Sequence, residues 1–98
     1  MTDIHIERPH QLGLARAREL AQQWQLEAKD EYGMTCRHEP GETEDQIHFE
    51  RMGVKGLMKV SAEHFCVDIH LGFLLGAYAQ MIEQQIQRNL DRMVGPSA

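Results

Sequence analysis

Leu71 to Leu90, LGFLLGAYAQMIEQQIQRNL, carries the strongest hydrophobic pattern of the chain. It leaves a strand through Gly72 and enters a long C-terminal helix. On a wheel of about 100° per residue, Leu75, Ala79, Ile82, Ile86, Leu90 and Met93 form one stripe, the pattern of a helix lying on a core. A second apolar set, Leu74, Ala77, Tyr78 and Met81, lies on a different face and only on the first half of the helix. Phe73 stands beside it. One buried face does not require this surplus, so Phe73, Leu74, Ala77, Tyr78 and Met81 are the candidate partner- or ligand-binding residues. The bland alternative is that the sheet curls around the helix start and buries them, since Phe and Leu runs usually belong to cores.

Working outward, His64 to Leu71 has the cleanest period of two: Phe65, Val67, Ile69 and Leu71 inward, His64, Cys66, Asp68 and His70 outward. Val54 to Ser61 and Gln46 to Met52 alternate likewise, with Gly53 between them. Met34 to His38 reads as a strand, and EPGETED, Glu39 to Asp45, as a solvated acidic turn. Asp3 to Arg8 is a short strand stopped by Pro9. Gln11 to about Tyr32 reads as a helix on the stripe Leu14, Ala17, Leu20, Ala21, Trp24, Ala28 and Tyr32, with Gly33 at its C-cap. The order β-α-β-β-β-β-α predicts a two-layer α+β domain, an antiparallel sheet with both helices on one face. The four consecutive strands form a meander, and the first strand pairs with the last. One domain over residues 1–93 is expected, with 94–98 a disordered tail.

The sum of charges excludes some functions. Ten basic residues are scattered through a chain of net charge −5, against a nucleic-acid surface. The opening MTDIHIERPH lacks the apolar core of a signal peptide, and Leu71 to Ala79 falls far short of the roughly 20 residues of a membrane span. A cytoplasmic protein is expected, with Cys36 and Cys66 as free thiols.

The opening DIHIERPHQLGLARAREL, the central RMGVKGLMKV and above all LGFLLGAYAQMIEQQIQRNLD resemble the small polyhydroxyalkanoic acid system proteins of bacteria that store polyester granules. The resemblance covers about residues 3 to 91. It implies a place in polyhydroxyalkanoate metabolism, at or near the granule surface, and no catalytic residues. The layout is also similar to a shortened helix-grip fold, in which a curved sheet wraps a C-terminal helix.

Catalytic and metal-binding chemistry find little support. Cys36-x-His38 and His64-x-Cys66 each put two donors on one strand face. Two strands separate them, about 14 Å at about 4.8 Å per strand, too far for one metal or for a disulfide, which needs Cα atoms within about 7 Å. His5, His64 and His70 can gather with Asp68 on the outer sheet face, yet a flat face offers neither pocket nor nucleophile. Gly53-x-x-Gly56 lacks the Lys-Ser/Thr of a phosphate loop. No catalytic residue, metal or cofactor is therefore expected. The expected function is that of a non-catalytic accessory protein docking through the C-terminal helix on a granule surface or granule-associated protein. The alternative is a carrier holding an acyl or other apolar ligand between helix and sheet. A second copy of the chain also fits the patch.

Overall fold

The computed structural model describes residues 2–95. Strand β1 (Thr2–Pro9) leads to helix α1 (Leu14–Tyr32), then β2 (Thr35–Glu39), β3 (Glu44–Arg51), β4 (Val54–Ser61) and β5 (His64–Leu71). A 3₁₀ segment, Phe73–Tyr78, joins β5 to helix α2 (Ala79–Val94). The sheet order is β1-β5-β4-β3-β2 with antiparallel pairing throughout, so the first strand pairs with the last and the other four form the expected meander. The fold is the two-layer α+β arrangement that the hydrophobic periods predict.

Alternation sets the two faces. Ile4, Ile6, Ile47, Phe49, Val54, Met58, Val60, Phe65, Val67, Ile69 and Leu71 point to the core, where Ala17, Ala21, Trp24 and Ala28 of α1 meet Ile86, Leu90 and Val94 of α2. The small residues of α1 bring that helix close to the sheet, and Trp24 fills the space over Phe49, ring to ring at 5.1 Å. The Phe49 ring lies across its cross-strand neighbour Gly56. A Cβ at that glycine would sit 2.2 Å from two ring carbons, so a side chain there would displace the ring.

Several boundaries shift from those predicted. Helix α1 starts at Leu14, because Gly13 turns with φ +80° and His10 is tied by its amide to Glu63 O at 2.8 Å. The acidic turn is shorter than the EPGETED reading, since Glu44 and Asp45 belong to β3. The long helix is the chief correction. Residues 73–78 are 3₁₀ rather than α, and the α-helix runs from Ala79 to Val94, which is buried. Gly72 and Gly76 favour the change, being poor helix residues. Gly72 also donates to Gly53 O at 2.9 Å, so the segment is tied to the β3–β4 turn as it leaves the sheet. Of the expected disordered tail, residues 96–98 lie outside the described residues.

Candidate functional site

The change of helix type rearranges the faces of the patch. A 3₁₀ turn holds three residues, so residues three apart line up. Leu75 and Tyr78 share one edge and Leu74 and Ala77 another, which a wheel of 100° does not separate. Leu75 packs partly on the core, with its Cδ1 beside Gly53. Leu74 and Ala77 point away. The sheet does not curl around this segment: Phe73 is 84% exposed, Leu74 83% and Met81 67%, and Tyr78 and Ala77 are exposed too. Met52, in the β3–β4 turn that Gly72 grips, adds another bare side chain.

Beside this patch the two helices stand apart and leave a groove of about 550 Å³ over the sheet. Phe49, Val54 and Ile69 form its floor, Trp24, Ala28 and Tyr32 one wall, and Ile82, Ile86 and Asn89 the other. Leu75, Tyr78, Met81 and Met52 line it towards the patch. The groove exists because α2 is seated unevenly. Ile86, Leu90 and Val94 are buried, whereas Leu75, Ala79 and Ile82 are only partly so. Opposite them α1 offers Ala28, too short to fill the gap. Polar groups bridge the helices above it: Gln85 Nε2 donates to Tyr32 Oη at 3.4 Å, and Arg92 Nη2 donates to Glu27 Oε2 at 2.5 Å. Arg51 Nη1 fastens the end of α1 by donating to the Tyr32 carbonyl at 2.8 Å. Tyr32, expected in the core stripe of α1, thus stands at the rim.

Asn89 is the member of this site that hydrophobic reading misses. It is only 8% exposed, it lines the groove between the two polar bridges, and its amide has no hydrogen-bond partner among the described residues. A polar residue among Ile82, Ile86 and Leu90 was the available signal.

The outer sheet face carries polar pairs rather than one histidine cluster. Register sets His5 opposite Asp68 and Asp3 opposite His70. His5 Nδ1 lies 2.5 Å from Asp68 Oδ1, and His70 Nδ1 lies 2.6 Å from Asp3 Oδ1. The Asp68 hydrogen bond and charge raise the His5 pKa. His64 is paired with Pro9 at the other end of β5, roughly 20 Å from His70 at about 3.3 Å per residue. The same register brings the donor atoms of His5, Cys66 and Asp68 within 4.8 Å of one another, on a face where His5 and Asp68 already satisfy each other. Burial, then the Asp68 and Glu7 charges, push the Cys66 thiol up, and burial does the same to Cys36 on the inner face. Thiols held protonated are weak nucleophiles. β3 and β4 stand between the strands of the two Cys-His pairs.

The third polar constellation is a fastening. Asp45, at the start of β3, is 2% exposed and points to the inner face. It accepts from Arg18 Nε of α1 at 3.0 Å, from the Gly41 amide at 3.1 Å, and pairs with His38 Nε2 of β2 at 2.9 Å. Burial alone would raise its carboxyl, yet these hydrogen bonds and the Arg18 charge outweigh burial and hold the pKa below the usual value.

Fold and site together define a small two-layer α+β domain with an open apolar groove between its helices and a bare apolar patch at the groove's mouth. The family described as "Putative polyhydroxyalkanoic acid system protein" matches residues 4–94, nearly the whole chain, and the protein belongs to that family. Comparison with curated proteins and with solved structures gives no match. No described helix is long and apolar enough to cross a membrane.

Proposed function

We propose that this protein is a non-catalytic accessory factor of the polyhydroxyalkanoate system that docks on the polyester surface of the storage granule through Phe73, Leu74, Ala77, Tyr78 and Met81. The observation that carries the reading is the exposure of Phe73 and Leu74 on a short segment that the Gly53–Gly72 hydrogen bond holds against the sheet, with Met81 exposed in the first turn of α2. Large apolar side chains so displayed mark a contact surface, and membership of a polyhydroxyalkanoic acid system family favours an apolar polyester as what they meet. Burying each yields about 1.5–3 kcal/mol, and the association cost is about 4–15 kcal/mol, so one copy binds weakly and loss of two residues is decisive. Asp and Glu outnumber Lys and Arg 15 to 10, which favours solubility away from the surface.

The test is co-sedimentation of the purified protein with isolated granules, with a Phe73→Glu, Leu74→Glu variant beside it. Both positions are solvent-exposed, so circular dichroism of the variant should match the wild type. Saturable sedimentation of the wild type, lost in the variant, is expected. Equal sedimentation of the two overturns the assignment of the site.

A further inference from the structure

The structure assigns a second site, adjoining the docking patch at Tyr78 and Met81: the interhelical groove takes a single aliphatic chain of about nine or ten carbons whose neutral oxygen function hydrogen-bonds the Asn89 amide. The groove's volume of about 550 Å³ lies within the roughly 300–1,000 Å³ typical of small-molecule sites. Its lining is apolar with a few converging polar groups, as such sites require. Along α2 the lining runs from Met81 to Asn89, eight residues and about 12 Å at 1.5 Å each. A zigzag carbon chain with 1.52 Å bonds advances roughly 1.25 Å per bond, so about nine or ten bonds span that length.

Asn89 fixes both the orientation and the chemistry. The Asn89 amide forms no bond to another side chain among the described residues yet still reaches the solvent of the groove, so a ligand oxygen takes the place of water there and gains the net value of one hydrogen bond. The oxygen is neutral, a hydroxyl or an ester carbonyl. An ionised carboxylate beside Asn89 would find Arg92 already paired with Glu27, and Arg51, the groove's other cation, is held at the Tyr32 carbonyl rather than at Asn89. From Asn89 the chain runs past Ile86 and Ile82 and leaves by Tyr78 and Met81, where methionine adapts to a flexible tail. The Gln85–Tyr32 contact, long at 3.4 Å, spans the groove and has to open for the chain to enter.

Trp24 is the only tryptophan, and it lines this groove, so its fluorescence reports occupancy directly. Methyl 3-hydroxydecanoate, titrated below its micelle concentration, should change Trp24 emission saturably at one molecule per chain. Methyl 3-hydroxybutyrate, six methylenes shorter, should bind at least about a hundredfold more weakly. Asn89→Leu should weaken the ten-carbon ester by about 3–10-fold, the factor of one hydrogen bond. Methyl decanoate separates the two oxygens: affinity equal to that of the hydroxy ester assigns the carbonyl to Asn89, and weaker affinity assigns the hydroxyl. The Phe73→Glu, Leu74→Glu variant should bind the ester normally, so that failure of the groove and failure of granule docking are told apart. No saturable change with the wild type, equal binding of four- and ten-carbon esters, or unaltered binding by Asn89→Leu each overturns the assignment.

Discussion

Replacing Asp45 by asparagine tests whether one carboxylate fastens α1 and β2 to the rest of the sheet. The substitution keeps the shape and removes the charge. Asp45 takes Arg18 through both oxygens, Nε to Oδ2 and Nη2 to Oδ1, each at 3.0 Å, while the Gly41 amide and His38 complete its shell. Asparagine keeps one acceptor oxygen and turns an NH₂ towards a donor, so about two of these interactions are lost. Hydrogen bonds to charged groups contribute about 1.5–3 kcal/mol each, and breaking a buried ion pair costs about 3–5 kcal/mol. Solvent screens part of this, because the Arg18 side chain is 38% exposed. The expected loss is about 2–3 kcal/mol at pH 7, or about 10–20 °C in Tm for a domain of this size.

The effect has a pH signature whose sign follows from linkage. The native carboxyl titrates below its unfolded value of about 3.9. Its stabilisation is therefore complete above that pH and is lost as pH falls through the lower native pKa. Urea unfolding of both proteins, followed by Trp24 fluorescence and circular dichroism, should give a difference of about 2–3 kcal/mol at pH 7 that narrows below about pH 4. Other carboxylates titrate equally in the two proteins and cancel in the difference. A gap under about 0.5 kcal/mol at neutral pH, or one constant down to pH 3, would refute the reasoning.

Two further outcomes follow from packing and burial. Gly56→Ala sets a methyl against the Phe49 ring, which is itself wedged under Trp24; a loss of about 1–3 kcal/mol with a shifted Trp24 emission is expected, and unchanged stability would mean the ring swings aside freely. His10 is buried against Phe65 with Nδ1 accepting from the Leu12 amide, and burial lowers its pKa. The unfolded chain then binds a proton near pH 6.5 that the native state refuses, so stability falls as pH drops from about 6.5 towards the native value. His10→Asn keeps an acceptor and removes that titration. Chemical denaturation at pH 7 and 5.5 should show the wild type losing more stability than the variant, and equal losses would rule out His10 as the cause.

The patch and the groove meet at Tyr78 and Met81, which belong to both. A chain leaving the groove there emerges beside Phe73 and Leu74, so occupancy and docking share a boundary. The hydrogen bond from Gly72 to Gly53 and the contact of Leu75 with Gly53 fix that boundary to the β3–β4 turn.

What the sequence alone determined is what short-range periodicity encodes. Alternation in His64–Leu71 and its partner strands named the inward residues, because a strand's side chains change sides at each step. The spacing of Ala17, Ala21, Trp24 and Ala28, and of Ile82, Ile86 and Leu90, gave each helix its buried face for the equivalent reason. The surplus apolar residues from Phe73 to Met81 were legible too, but not their geometry. Hydrophobic periods assume a helix type, whereas the segment is 3₁₀, bare, and tied at Gly72 to Gly53, nineteen positions back in the chain. How far α2 stands from α1 has no local signature, since that gap depends on the side-chain volumes that Ala28, Ile82 and Asn89 present to one groove from two elements. Only strand register sent His5 and His70 to different aspartates. Asp45 likewise reads as an acidic turn until folding brings Arg18 and His38 to it from two other elements. Local patterns fix which face is apolar; distances between faces are set by side-chain volumes and hydrogen bonds remote in the chain.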